Sequence, residues 1–283
     1  MHLLMILVAI AIACGIRNSF INTKSTWYER WHTALTRFLF PPLLLLSTAI
    51  ALVCMGSQGK MMGLPVGELS YVTGLLVCLY SLGLGIILWW QGWQTIAQIS
   101  HLPQQEHGQD FNQKFKIWES DSIFAAQIGF WQPQLVVSSG MIQQFDPIHL
   151  EAVIKHEQAH LVYRDTFWFF ILGYFRQLTP WLPQTEILWQ ELLLLRELRA
   201  DRWAVQSVEP LVLAESLLWA VGGMSVFAPT VAATLSQFSD RLEERIETLL
   251  TETGEDYPLV SSKFNWGWII LAASPFILIC FHS

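Results

Sequence analysis

The sequence predicts an integral membrane protein, mainly α, in which a cytoplasmic α+β domain lies between the third and fourth of four transmembrane helices. Three observations predict it. Hydrophobic residues make up 53% of the 283 residues against 14% charged ones, a balance found in membrane proteins rather than soluble ones. Long apolar stretches recur in both terminal parts of the chain, and strand-like segments followed by helical periodicity fill the interval between them.

The first apolar stretch runs from about Leu3 to Ile16, short for a span unless Phe20 and Ile21 help complete it. A second runs from about Phe38 to Met55, a third from about Leu69 to Trp90, and a fourth from Trp266 to Phe281. Pro41, Pro42 and Pro275 fall within or near them, where spanning helices tolerate proline. Fourteen tryptophans and seventeen phenylalanines suit interfacial belts as well as a core. The expected division is 1–94 for three transmembrane helices and their loops, 95–262 for the inserted domain, and 263–283 for the fourth helix. No lysine or arginine precedes the first apolar run, and Ala11-Ile12-Ala13-Cys14 lacks the leucine that opens a lipoprotein cleavage box, so this run reads as a retained span.

Basic residues orient the chain. Arg17, Lys24, Arg30 and Arg37 follow the first span, whereas the loop after the second has only Lys60. The first loop is therefore expected in the cytoplasm, with the N- and C-termini outside and residues 95–262 on the cytoplasmic side. All four cysteines, Cys14, Cys54, Cys78 and Cys280, fall in the expected spans without a C-x-x-C pair, so they form neither a disulfide framework nor a metal site. A net charge of −7 and the lack of a basic stripe argue against direct nucleic-acid binding.

Within the inserted domain, 104–113 is polar and reads as a loop. Phe115–Trp118, Phe124–Ile128 and Gln134–Ser138 read as strands punctuated by Gly129 and Pro133. Asp146-Pro147 then supplies an N-cap and a proline at the first helical position. Leu150, Val153, Ile154 and Leu161 recur at helical spacing behind it.

On that helix lies His156-Glu157-Gln158-Ala159-His160, an H-E-x-x-H pentapeptide. Residues four apart share a helix face, so His156 and His160 can hold one zinc ion while Glu157, one position round, reaches the water it activates. Taken alone, the same five residues also read as two surface histidines and a solvated glutamate. A strand edge beside the metal could pair with an extended peptide and present its carbonyl, although an ordinary hairpin reads the same way.

Catalytic zinc needs a third protein ligand and an open position. The longer pattern ending in a third histidine would need glycine at Tyr163 and histidine at Thr166, and downstream of His160 only His282 remains. A carboxylate is therefore expected, from Asp165, Glu186, Glu191, Glu197, Asp201 or Glu209. Glu197 and Asp201 stand apart, four residues from each other around the small Ala200. Glu197 can face the metal while Asp201 accepts the free imidazole N–H of a ligand histidine. Without the histidines, the pair reads as a solvated charge face matched by Arg196, Arg199 and Arg202.

The remaining elements follow in order. Thr166–Phe175 is an aromatic and aliphatic run expected to lie against the bilayer or the spanning helices, with a re-entrant segment as the alternative. Glu186–Val205 reads as a long helix, Leu211–Val221 as an apolar one, and Asp240–Leu250 as an amphipathic charged one. His101, His107 and His149 read as surface residues.

Taken together, His156–His160 with Tyr163-Arg164-Asp165, Pro180-Trp181-Leu182 and Leu195–Arg202 resemble the membrane zinc peptidases of the BlaR/MecR antirepressor type. Pro133–Met141 looks like that family's strand and turn before the zinc helix, and Glu243–Glu247 like its later R-I motif. The resemblance implies a gluzincin fold, one zinc ion per chain on His156, His160 and Glu197, Glu157 as the general base, and Asp201 behind a ligand. It implies a protein substrate at the cytoplasmic face of the bilayer, either a transcriptional repressor or the chain itself, and leaves a homo-oligomer open. Members that sense β-lactams carry a penicillin-binding domain after the fourth span. The sequence ends at Ser283, so no such sensor is expected.

The HtpX and CAAX-protease group shares H-E-x-x-H and E-x-x-A-D and is the alternative enzyme reading. A membrane receptor with a structural zinc site is the non-enzymatic one. For the oxyanion, the sequence offers Tyr163, Tyr174 and Arg202 without choosing among them.

Overall fold

The computed structural model describes residues 2–18, 26–58, 60–61, 64–65, 67–105, 114–222, 232–251 and 267–281. Its elements in chain order begin with α1 (His2–Arg17), α2 (Trp27–Met55), β1 (Lys60–Met61), β2 (Leu64–Pro65) and α3 (Glu68–Ser100). There follow β3 (Gln104–Gln105), β4 (Phe115–Trp118), β5 (Ala125–Ile128), β6 (Gln134–Ser138), α4 (Ser139–Gln144) and α5 (Pro147–Val162). The remainder is α6 (Asp165–Leu178), α7 (Thr185–Ala204), α8 (Pro210–Gly222), α9 (Ala232–Leu250), α10 (Gly267–Ala272) and a 3-10 helix at Ser274–Phe281. Contacts divide the chain into two compact units: Met1–Trp90 with Ile171–Leu192 and Val260–Ser283, and Gln91–Phe170 with Leu193–Leu259.

In the first unit, α2 begins at Trp27 rather than near Phe38. Its N-cap Thr26 accepts the Glu29 N–H, and Pro41 and Pro42 lie buried inside it without ending it. Among the described residues, α2 and α3 are the two helices long and apolar enough to cross a membrane. The apolar window of α3 is only 11% buried against 56% for α2, so α3 is not the core helix of a soluble protein. The other two expected spans are shorter. The 16 residues of α1 rise roughly 24 Å against a hydrocarbon core of roughly 30 Å. The C-terminal segment breaks between α10 and the 3-10 helix, next to Pro275. Both pack on α2: Met5, Ile6, Leu278 and Ile279 surround Ala51, Leu52 and Met55, and Ser47 Oγ donates to the Ala272 carbonyl at 2.5 Å.

Arg17 and Arg30, among the basic residues that follow the first span, serve contacts inside this unit. Arg17 is fully buried, donating to the Phe38 carbonyl at 2.9 Å and to Thr185 Oγ1 at 3.2 Å. Arg30 pairs with Glu191 at 2.7 Å.

The second unit is built on a four-stranded sheet of order β3-β4-β6-β5, with β4 and β6 parallel and the other pairs antiparallel. Strands β4 and β6 occupy the residues the sequence predicts. β5 starts one residue later than expected, where the Phe124 N–H donates to Ser138 Oγ. The short β3 falls in a segment expected to be loop, and 106–113, with His107, lies outside the described residues. Lys116 reaches back to the Ile99 and Ser100 carbonyls at 2.7 and 3.0 Å, a cation at the C-terminus of α3.

Leu135 and Val137 of β6 pack with Phe115, Ile123, Met141, Phe145, Leu150 and Ile154, so the core lies between the sheet and α5. Ser138 ends β6 and caps α4, accepting the Met141 N–H. At Gly140 the chain passes so close to Asp121 that a Cβ would meet its carbonyl oxygen at 2.4 Å, which only glycine avoids. Asp146 caps α5 through the His149 N–H at 2.9 Å, with Pro147 following it as the sequence predicts.

His149 is not a surface residue. It is 9% exposed, with Nδ1 2.7 Å from Asp146 Oδ1, Nε2 3.1 Å from Glu215 Oε2, and its ring stacked on Trp219. The sequence reading sought a ligand partner nearby in the chain, whereas Glu215 arrives from α8. Burial pulls the imidazole's pKa down, but its hydrogen bonds and charge attraction to Asp146 and Glu215 outweigh that, and the net shift is upward from 6.5. The link between α5 and α8 is thus complete below about pH 6.5, the unfolded value, and is lost as pH rises through the folded one. The thermal midpoint of wild type over His149→Gln should accordingly shrink from pH 6 to pH 9, and a margin that does not change with pH would contradict this.

Candidate metal centre

Helix α5 places His156 and His160 on one face, 6% and 8% exposed, with rings nearly perpendicular and their Nε2 atoms 3.1 Å apart. Helix α7 brings Glu197 to them. Its Oε2 is 3.2 Å from His156 Nε2, and its Oε1 is 3.8 Å from His160 Nε2. The three side chains offer donor atoms that all lie within 4.8 Å of one another and could hold a metal ion. The spacing fits. Four ligands placed tetrahedrally at zinc-like bond lengths of about 2.0–2.1 Å stand roughly 3.3–3.4 Å apart.

The far nitrogens of both imidazoles meet carboxylates. Asp201 Oδ1 is 2.8 Å from His156 Nδ1, and Asp165 Oδ2 is 2.8 Å from His160 Nδ1. A carboxylate at Nδ1 fixes the tautomer and leaves Nε2 free as a ligand. Each carboxylate is in turn backed by an arginine. Arg245 places Nε and Nη2 on the two oxygens of Asp201 at 2.7 and 2.8 Å, and Arg199 pairs with Asp165. Arg196 sets Nε and Nη2 on Glu197 Oε1 at 2.8 and 2.5 Å, its guanidinium 4.7 Å above the Phe169 ring.

Local backbone geometry makes the Asp165 contact. Arg164 adopts a left-handed conformation, φ 54°, after the last turn of α5. A non-glycine residue there costs roughly 1–2 kcal/mol. The chain is thereby folded back so that Asp165, at the start of α6, reaches the histidine five residues before it.

The electrostatics keep the site ionised. Burial raises the Glu197 pKa, but Arg196, His160, His156 and Arg245 together hold it well below the usual carboxylate range. Asp201 is lowered in the same way, Arg245 and His156 outweighing burial. Burial pulls His156 down, but Asp201 and Glu197 reverse this and push it up to about 10. The carboxylates around His156 thus favour a positive charge there.

Glu157, next to His156, is tied to the sheet: its Oε2 accepts the Gln127 N–H at 3.1 Å. Gln127 lies on β5, an edge strand of the four-stranded sheet. All the residues singled out from the H-E-x-x-H and E-x-x-A-D spacings therefore come together. Two features lie beyond those spacings: the contact of Asp165 with His160, and Arg245 behind Asp201. Asp165 is among the third-ligand candidates that the sequence offers, and its place directly after the helix-ending Tyr163-Arg164 is the signal for its position beside His160.

Of the oxyanion candidates, Tyr163 lies under Arg199, 4.0 Å from guanidinium carbon to ring centroid, and Arg202 is exposed. The Tyr174 hydroxyl is engaged by Ser81, 2.5 Å from its Oγ and 3.3 Å from its carbonyl oxygen.

Asp165→Asn keeps the shape of the side chain and removes the charge that orients His160. Metal affinity should fall about 10–100-fold, as measured by competition with a chromogenic chelator; affinity equal to wild type would count against the orienting role.

A family model described as BlaR1 peptidase M56 matches residues 57–249, more than half of the chain. Neither the curated proteins nor the solved structures searched contain a match.

Proposed function

The chain belongs to the BlaR1 peptidase M56 family, and on that premise we propose that it is a membrane-embedded zinc endopeptidase that hydrolyses peptide bonds of a protein substrate. The supporting observation is the convergence of His156 Nε2, His160 Nε2 and the Glu197 carboxylate beside a glutamate anchored to a sheet edge.

In this reading His156, His160 and Glu197 would hold one zinc ion, the borderline-soft cation suited to two imidazoles and a carboxylate. When bound, it supplies Lewis acidity that makes water nucleophilic near neutral pH and polarises the carbonyl under attack. Asp201 and Asp165 hold the two imidazoles in the tautomer that leaves Nε2 a ligand. Glu157 is the general base: it takes a proton from the attacking water and passes it to the leaving amine. The Gln127 N–H holds Oε2 of that carboxylate, leaving Oε1 for the proton. An extended substrate segment is held along the edge of β5 by main-chain hydrogen bonds.

The topology extends the two long apolar helices to four spans, with α1 and the C-terminal segment completing the set. Residues 95–262 then lie on the cytoplasmic side and both termini outside, following the basic residues after α1. The substrate is a transcriptional repressor or the chain itself. The test is the set of new protein N-termini in cells carrying wild type or Glu157→Gln. Termini confined to wild type support the proposal, and identical sets in both leave it without support.

A further inference from the structure

We infer that Arg245 is a positioning residue of the metal centre, making α9 part of the apparatus that holds the metal; this rests on the metallopeptidase reading above. The other two arginines of the site, Arg196 and Arg199, belong to α7, the helix that carries Glu197. Arg245 comes from a separate helix, 44 residues beyond Asp201. Its neighbours Glu243, Glu244 and Glu247 make its stretch of α9 acidic, yet this cation turns inward, its side chain 14% exposed.

Its three donors reach two carboxylates with different tasks. Nε and Nη2 grip both oxygens of Asp201, a fork-to-fork contact that fixes the carboxylate plane as well as its charge. Oδ1, one of the gripped oxygens, is the atom that meets His156 Nδ1. Nη1 lies 3.4 Å from Glu197 Oε2, the oxygen that faces His156 Nε2. One planar group therefore governs the orientation of a ligand histidine from behind and the placement of the ligand carboxylate from the side.

A cation is needed at this point. Glu197 and Asp201 stand four apart on one helix, and like charges at that spacing repel. Both are buried in the site, at 18% and 3% side-chain exposure. Arg245 meets both, through hydrogen bonds to Asp201 and an ion pair with Glu197. A lysine could supply the charge but not the fork, because its ammonium is a point charge without the planar pair of donors.

The experiment uses the full chain in detergent micelles with zinc and cobalt as probes. Zinc affinity is measured by chelator competition and the ligand field by the cobalt absorption spectrum, for wild type, Arg245→Gln, Arg245→Lys and Asp201→Asn. The expected result is a loss of about 10–100-fold in zinc affinity for Arg245→Gln, a smaller loss for Arg245→Lys, and an altered cobalt spectrum in both. Arg245→Gln combined with Asp201→Asn should bind no more weakly than the weaker single variant, since the two remove one connected unit. Wild-type affinity with an unchanged cobalt spectrum in a folded Arg245→Gln overturns the inference, and it leaves the metallopeptidase reading standing. If Arg245→Gln does not fold, Arg245→Lys decides by the same two measurements. A wild type that takes up no zinc, or a His156→Ala variant that binds it as tightly as wild type, overturns both.

Discussion

Glu157→Gln should keep its metal and lose peptide hydrolysis by about 10²–10⁴-fold, the usual contribution of a positioned general base. The substitution is nearly isosteric, and the Glu157 contact with the Gln127 N–H can be retained by the amide oxygen. Fold and metal uptake should therefore be unchanged, while the group that accepts the proton is gone. The comparison needs kcat with a protein or peptide substrate together with metal content per chain. A variant that cleaves at the wild-type rate would remove Glu157 from the mechanism. A variant that loses its metal would mean that this residue is part of the metal's support rather than the base.

His156→Ala should act on the other half of the site, abolishing both metal uptake and hydrolysis. It removes one donor of three, and the loss of affinity should exceed the roughly 10–100-fold expected when only an orienting carboxylate is changed. Asp201 retains its fork contact with Arg245 in the variant, so the surrounding helices keep a paired charge and the chain should remain folded. Metal content measured at graded free zinc, with far-ultraviolet circular dichroism as the folding control, separates the outcomes. One zinc per chain at wild-type affinity would exclude His156 as a ligand.

Local chemistry made much of this protein readable before its fold was seen. Strand β4 follows from the aromatic and β-branched run Phe115–Trp118, β6 from the apolar run that Pro133 opens, and the start of α5 from Asp146-Pro147. The pairing of His156 with His160, and the choice of Glu197 and Asp201, follow from helical spacing and the kinds of donor a metal needs. What stayed hidden depends on segments far apart in the chain. Nothing near His149 announces that Glu215 and Trp219 will close over it. Nothing near Asp201 announces Arg245. The extent of α2 was underestimated because Trp27–Arg37 is polar enough to read as loop, yet Arg30 finds Glu191 and the helix continues through both prolines. The C-terminal segment was read as one helix from its apolarity, which says nothing about the break before Pro275.

The contact between Glu157 and the Gln127 N–H has an arithmetic consequence for anything that adds a strand to β5. Along an antiparallel strand every second residue turns its N–H and C=O away from the existing partner. Gln127 turns outward, since its N–H is given to Glu157; by the same alternation so does Ala125, two residues earlier. The open side of β5 therefore offers acceptors at two places but an unspent donor only at Ala125. A visiting chain cannot slide along this edge with equal gain at every step, because one rung of the ladder is already taken by Glu157.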